Sequence, residues 1–365
     1  MLPTTIEISI NKLKNNYRAV RDFVDHRNIL AVIKSNAYGH GIIPIAKALA
    51  EENVFGFGVN NIEEAIELRE NDLSNYILIM GKSFPQHINE LLENNIVITI
   101  ASYRDYTSFK AVLPNNSKLK VHVKVDTGMG RLGFDYDSAF EQISEIYNDP
   151  QFEIEGIYSH FATADEIDSE FANQQLDQFS TLIKKFIQNG YHFTHIHMAN
   201  SAGIITQPDS YFNMVRPGIL LYGNFPSSHL IDMVDVSPIL RYQTKVIYIR
   251  DMKKGDTISY GRKYVLKKDS KMAIIPAGYG DGLFRALHRN GYVLINSKLY
   301  SISGVVSMNY FSIDIGDDNV REGDIVTIIG NSGQEVLRIE HIAEKLNTVP
   351  YEITCMLPCQ IKRVY

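Results

Sequence analysis

A lysine that closes an apolar run is the first residue with reactive potential. Lys34 follows Ala31-Val32-Ile33 and leads into Ser35-Asn36-Ala37-Tyr38-Gly39-His40-Gly41. An amine partly desolvated by apolar strand neighbours favours its neutral form, which can attack a carbonyl. The plainer reading is a lysine that surfaces at a strand end. A second segment, Lys124-Val125-Asp126-Thr127-Gly128-Met129-Gly130-Arg131-Leu132-Gly133, has glycines that let a tight loop return Arg131, whose guanidinium can fork onto a carboxylate. Alternation along the strand points Lys124 inward, with Asp126 as the simplest partner for its charge. His160, Asn200-Ser201-Ala202-Gly203 and Arg216-Pro217-Gly218-Ile219 complete the set. Ser201 with the Gly218 and Ile219 amides would supply donors suited to a phosphate. A different chemistry is open at His192, His195 and His197, because a His-x-His pair on a strand aims two imidazoles the same way. A metal-dependent hydrolase built on them needs further ligands at other strand ends. Gly278-Tyr279-Gly280-Asp281-Gly282 lacks the downstream lysine and serine of a phosphate loop and reads as a turn.

These residues must be positioned by repeated strand–helix units. Short β-branched runs occur near Asn28 to Lys34, Val54 to Val59, Tyr76 to Gly81, Ile96 to Ala101, Leu119 to Asp126, Glu153 to His160, Thr194 to Ala199 and Asn213 to Tyr222. Each is followed by a stretch long enough for a crossover helix. Ile62 to Leu68 carries apolar residues three to four apart, and Phe171 to Phe186 places Leu176, Phe179, Ile183 and Phe186 on one stripe. Eight such units predict a closed (β/α)8 barrel of the TIM type, an α/β fold, rather than an open sheet. No Gly-x-Gly-x-x-Gly follows the first run, which weakens a dinucleotide fold. In a barrel, the polar strand ends share one mouth. Turn residues from Gly223 to Pro238 mark a boundary, expected to divide a barrel of residues 1–232 from a second domain of residues 233–365. Short strands near Thr244 to Ile249, Met272 to Ile275, Tyr292 to Ile295 and Ile325 to Ile329, with frequent glycines, predict a mostly-β C-terminal domain.

The chain of 365 residues has 45% hydrophobic and 21% charged residues, the usage of a globular protein with a full core. A net charge of −6 argues against an overall grip on nucleic acid or anionic membrane. No long apolar run and no secretory pattern is present, which predicts a cytoplasmic protein. The two cysteines, Cys355 and Cys359, neither staple the chain nor form a four-ligand zinc pattern.

Taken together, the Lys34 segment, Lys124 to Gly133, His160-Phe161-Ala162-Thr163-Ala164-Asp165, Ala199-Asn200-Ser201, Arg216 to Ile219 and Ser259-Tyr260-Gly261-Arg262 resemble the pyridoxal-phosphate-dependent alanine racemases. They run in that family's order over nearly the whole chain. The resemblance implies a barrel followed by a β-domain, pyridoxal 5′-phosphate as cofactor, a small amino acid as substrate and a homodimer with shared active sites. It implies that Lys34 condenses with the cofactor's aldehyde and acts as one proton-transfer base. Tyr260 of a second copy would be the other, its phenolate favoured by His160 and Arg216. Tyr38, Ser201, Gly218 and Ile219 would hold the phosphate, Arg216 would face the pyridine nitrogen, and His160 would also contact the cofactor. An arginine cannot accept a proton there, which leaves the ring a weaker electron sink. Arg131, Met308 and Tyr279 would contact substrate. Lys124 matches a lysine that is often carbamylated in the family, a change that removes a like-charge clash with Arg131.

Two departures from the family pattern are expected to touch the pocket. Ser307-Met308-Asn309 replaces the commoner Cys-Met-Asp, and Cys359 stands where a tyrosine is commonly placed to touch the phosphate and narrow the site. Both leave serine or a broader amino-acid range as an alternative to alanine. A non-catalytic cofactor-binding barrel is a further alternative, but it would lack the β-domain and Tyr260.

Overall fold

A computed structural model describes residues 4–288 and 290–365. Eight parallel strands form the barrel: β1 (Asn28–Val32), β2 (Gly56–Val59), β3 (Tyr76–Lys82), β4 (Val97–Ile100), β5 (Leu119–Asp126), β6 (Phe152–Tyr158), β7 (His195–His197) and β8 (Met214–Val215). They pair in the order β4-β3-β2-β1-β8-β7-β6-β5, and β4 pairs with β5 to close the ring. Strands covered on both faces need continuous apolar runs, and every residue of β2 and β4 is buried. Crossover helices begin at capped turns. Asn61 accepts the Glu64 amide at 2.9 Å to open Ile62–Glu70, and Ser169 accepts the Ala172 amide at 3.1 Å to open Glu170–Gln188. Leu176, Phe179, Ile183 and Phe186 of the latter are buried together, as their spacing requires.

Several strand limits differ from expectation, and the first, seventh and eighth are clearly shorter. The first ends at Val32, because Lys34 opens a tight turn. The seventh is only His195–His197. The eighth stops at Val215; Pro217 has no amide to continue a ladder, and Ile219–Tyr222 winds instead into a short 3₁₀ helix.

The C-terminal third forms a ten-stranded sheet together with Thr5–Ile8 from the start of the chain, which pairs antiparallel with Leu240–Lys245 and parallel with Arg363–Val364. It is mostly β but not wholly so. Helices Ile339–Leu346 and Pro350–Cys355 interrupt the strands, the first burying Ile339 and Ala343 one turn apart. The chain end then braces the barrel mouth. Arg363 Nε donates to the Gly39 carbonyl at 2.8 Å and the Tyr365 hydroxyl to the His40 carbonyl at 3.0 Å. Among the described residues, no helix is long and apolar enough to cross a membrane.

Candidate active site

At the C-terminal ends of the barrel strands, Lys34, Tyr38, Arg131, His160, Ser201 and Arg216 line one cavity of about 280 Å³. The backbone that presents Lys34 is unusual. Ser35, Asn36, Ala37 and Tyr38 all have φ between 51° and 54°, a left-handed turn that costs non-glycine residues about 1–2 kcal/mol each. Local partners hold it. Glu64 accepts the Ser35 amide at 2.6 Å and the Asn60 amide at 2.8 Å, while Asn36 Oδ1 accepts the Ile42 amide at 2.8 Å. The turn brings Tyr38 back into the same cavity as Lys34. Burial, then the nearby Arg131 charge, pulls the Lys34 amine below its ordinary value, which enlarges the neutral, nucleophilic fraction.

One corner of the cavity is made by Tyr38, Ser201 and Gly218. The Ser201 hydroxyl accepts the Gly218 amide at 2.9 Å, and it opens the helix Ser201–Thr206, capped by Asn200 through the Gly203 amide at 2.8 Å. Ile219 adjoins this corner as the first residue of its own short helix. Hydroxyls and amides, with no lysine among them, form a donor set suited to a phosphate.

Another part of the lining is cationic. Arg216 is 2% exposed, and its guanidinium donates to His197 Nδ1 at 2.7 Å, to the Ser159 carbonyl at 2.8 Å and to the Met198 carbonyl at 2.9 Å. His160 Nδ1 lies 3.3 Å from Nη2. Burial lowers Arg216 only to about 10, so it stays charged near neutral pH. Burial and Arg216 together hold His160 well below its ordinary value, hence neutral. Arg216 Nε is buried with no partner. Lys124 is also buried on the barrel side of this lining. Burial, then Arg131 and Arg216, brings its amine down to about 8. Asp126 is not its partner, contrary to the simplest expectation. That carboxylate accepts the amides of Gly128 at 2.8 Å, Gly130 at 3.1 Å and Arg131 at 3.0 Å, which shapes the glycine loop instead. What lies near Lys124 Nζ is the Tyr158 ring, 5.7 Å to its centre.

The family model of the alanine racemase N-terminal domain matches residues 8–226, and that of the alanine racemase C-terminal domain matches residues 239–365. The chain belongs to the alanine racemase family. It is thereby an isomerase. Alanine racemase 2 of Caldanaerobacter subterraneus subsp. tengcongensis is 37% identical over all of this chain and 95% of its own length. The alanine racemase of Methanococcus maripaludis is 36% identical over all of this chain and 98% of its own. Among solved structures, the alanine racemase of Clostridium difficile 630 has a TM-score of 0.91 at 33% identity, covering 100% of this chain and 96% of that one. The Bacillus anthracis alanine racemase with bound L-Ala-P also has 0.91, at 32% identity, covering 100% and 95%.

Within this alanine racemase fold, Tyr260, Tyr279 and Met308 stand apart from the Lys34 cavity of their own chain. Tyr260 is 70% exposed. All three loops are stitched together: the Ser259 hydroxyl donates to the Val305 carbonyl at 2.6 Å, and the Tyr279 amide to the Ser307 carbonyl at 3.0 Å. The histidines do not make a metal site. His195 and His197 are buried, His192 is exposed, and no group of three ligating side chains occurs among the described residues. Cys359 does not narrow the pocket either. Tyr351 and Cys355 line the cavity, one turn apart on the helix Pro350–Cys355, and the Tyr351 ring lies 5.8 Å from that of Tyr38. Tyr351, at the helix start Pro350-Tyr351-Glu352 and eight residues before Cys359, is the tyrosine that stands in the pocket.

Proposed function

We propose that this protein interconverts L- and D-alanine, with pyridoxal 5′-phosphate seated in the Lys34 cavity and Tyr260 supplied by a second copy of the chain. One observation carries the reading: a desolvated lysine and an arginine with an unpartnered, buried Nε line the same small cavity as a hydroxyl-and-amide corner. That orphaned Nε–H needs an acceptor, which an unprotonated pyridine nitrogen provides, and the corner of Tyr38, Ser201, Gly218 and Ile219 fits the phosphate. Tyr351 fits the same corner from the β-domain.

When bound, the cofactor withdraws electrons from the substrate's Cα and so loosens its proton. Lys34 holds the cofactor and, as a base, moves that proton on one face. Tyr260 of a second copy works on the other face, since inversion needs a donor and an acceptor on opposite sides. Arg131 orients the substrate carboxylate. Arg216 stays protonated and so adds no proton acceptor at the ring. Lys124 takes up CO₂ through its neutral amine and loses a proton, leaving a carbamate anion that faces Arg131. Tyr260, Tyr279, Met308 and Tyr310 are all exposed on the β-domain, an aromatic and apolar surface of the kind that dimer interfaces cover. Residues 10–232 form the cofactor barrel, and residues 233–365, joined in their sheet by Thr5–Ile8, the domain that donates the second base. Alanine is favoured over larger substrates because Tyr351 lines the pocket. Both cysteines are free thiols, which supports a cytoplasmic location.

The test is a chiral assay of the purified protein with pyridoxal 5′-phosphate, run on L-alanine and a panel of other amino acids. D-Alanine should form until the enantiomers are equal; turnover of serine alone would reassign the substrate. Mixing inactive Lys34→Ala and Tyr260→Ala proteins should restore activity through hybrid dimers. Mixtures that stay inactive would refute the shared site.

A further inference from the structure

The interior of a (β/α)8 barrel is ordinarily filled by layers of branched apolar side chains. Here a polar file runs through it. Arg216 donates to His197 Nδ1 at 2.7 Å; His197 Nε2 meets His122 Nδ1 at 2.8 Å; His122 Nε2 meets the Tyr76 hydroxyl at 2.9 Å; and that hydroxyl donates to Glu155 Oε2 at 2.6 Å. Tyr76 is the first residue of β3, so the file leaves the cavity at the mouth and reaches the far end of the barrel, where Lys120 stands 3.4 Å from Glu155 Oε1.

We propose that Tyr76, His122 and Glu155 are positioning residues for Arg216, joined to it through His197 by a hydrogen-bond line of single direction ending on a carboxylate. The proposal rests on the reading that Arg216 faces the cofactor's ring nitrogen.

The direction follows from donor chemistry alone. A guanidinium only donates, so His197 Nδ1 must accept. A neutral His197 then carries its proton on Nε2 and gives it toward His122 Nδ1. His122 in turn carries its proton on Nε2, and Tyr76 accepts it. Tyr76 has its own proton left for Glu155. A cationic imidazole at either histidine would set two donors against each other or require an imidazolate next door. Burial holds both rings well below their ordinary values, in agreement.

The site is also built for this file. β5 and β6 slip register between Val121 and His122, so that Val121 faces Ile154 and His122 faces Gly156, leaving Glu155 as the extra residue. A Cβ on Gly156 would lie 2.5 Å from the His122 ring, so only glycine leaves room for that imidazole. The Tyr158 ring stacks on His197 at 4.8 Å and 7°. No carboxylate pairs with Arg216 among the described residues, although a buried cation ordinarily requires one. The line makes Glu155 that counter-charge at a distance. Donation toward the carboxylate at the far end makes His197 Nδ1 a stronger acceptor, which fixes the guanidinium plane and leaves Nε aimed at the cavity.

The experiment is ¹⁵N-histidine NMR on the full chain, with and without pyridoxal 5′-phosphate, alongside kinetics of Tyr76→Phe and Glu155→Gln. In the wild type, His197 and His122 should both carry the proton on Nε2 near neutral pH. Tyr76→Phe should shift the His122 and His197 resonances and lower kcat about tenfold with KM for alanine little changed. Glu155→Gln keeps an oxygen for Tyr76 but loses the charge, so it should fall between that variant and wild type. A proton on His197 Nδ1, or wild-type kcat in both variants, overturns the proposal. The cofactor-free spectra separate it from the reaction assigned above. Correct tautomers in a protein that racemises nothing would overturn the reaction, whereas racemisation with the wrong tautomers would overturn the line.

Discussion

The Tyr38 hydroxyl occupies the space that a side chain on residue 218 would need: a Cβ built on Gly218 would lie 2.5 Å from it. Tyr38 is itself wedged between the rings of Tyr222 at 5.2 Å and Tyr351 at 5.8 Å, so it has little room to withdraw. Gly218→Ala should therefore displace the phenol from the phosphate corner and weaken cofactor retention about tenfold, roughly the loss of one good hydrogen bond. Titration of the cofactor-free protein by visible absorbance reads this directly, and unchanged affinity would show that the corner does not hold the phosphate.

Glu64 carries the strained turn behind Lys34, since its two carboxylate oxygens take the amides of Ser35 and Asn60. Glu64→Gln keeps one acceptor oxygen and Glu64→Ala keeps none. The expected losses of stability are about 1 kcal/mol and about 2–3 kcal/mol, with kcat falling in the same order as Lys34 loses its placement. Thermal unfolding of both variants checks the ranking; equal stability of wild type and Glu64→Ala would mean the turn is held elsewhere.

Lys124 sets a pH window. Its unmodified amine is at about 8 in the fold against an ordinary 10.5, so between those values the unfolded chain binds the additional proton. Stability from this group is full above pH 10.5 and is lost as pH falls to about 8, a range worth about 3 kcal/mol. Carbamylation removes the amine and with it the window. Denaturant unfolding with and without bicarbonate should show the slope only in CO₂-depleted protein, and intact mass should show one bound CO₂ when it is present.

His40 gives the opposite end of the pH range its sensitivity. Its ring is buried against Tyr222 at 4.4 Å, Nε2 has no partner, and burial lowers it from 6.5 to about 4. The unfolded chain takes up a proton below pH 6.5 that the fold refuses, so this contribution, on the order of 3 kcal/mol, is lost as pH falls from 6.5 toward 4. His122, His160 and His197 are shifted in the same direction. Denaturant unfolding across that range should show a steep loss in wild type and a shallower one in His40→Leu. Parallel curves would remove His40 from the account.

Much of this was readable along the chain because it depends on local period and local type. Eight β-branched runs with helices between them announce a barrel, since a strand covered on both faces must be apolar throughout. Lys34, His160, Ser201 and Arg216 could be found by standing at strand ends, where loops share a mouth. What pairs with what across the barrel could not be read, because it depends on register. His122 and Lys120 alternate with Lys124 on one strand, yet a one-residue slip between β5 and β6 decides that Glu155 meets Tyr76 and that Gly156 makes room for an imidazole. Tyr351 enters the cavity only because the C-terminal helix docks on the Lys34 turn, where the Gly39 Cβ position meets the Thr354 carbonyl at 2.2 Å. The chain alone picked out Lys34, Tyr38, Arg131, His160, Ser201 and Arg216 as candidates, and they line one cavity. The tertiary structure decided their partners, since hydrogen-bond direction and burial are properties of contacts between segments far apart in the sequence.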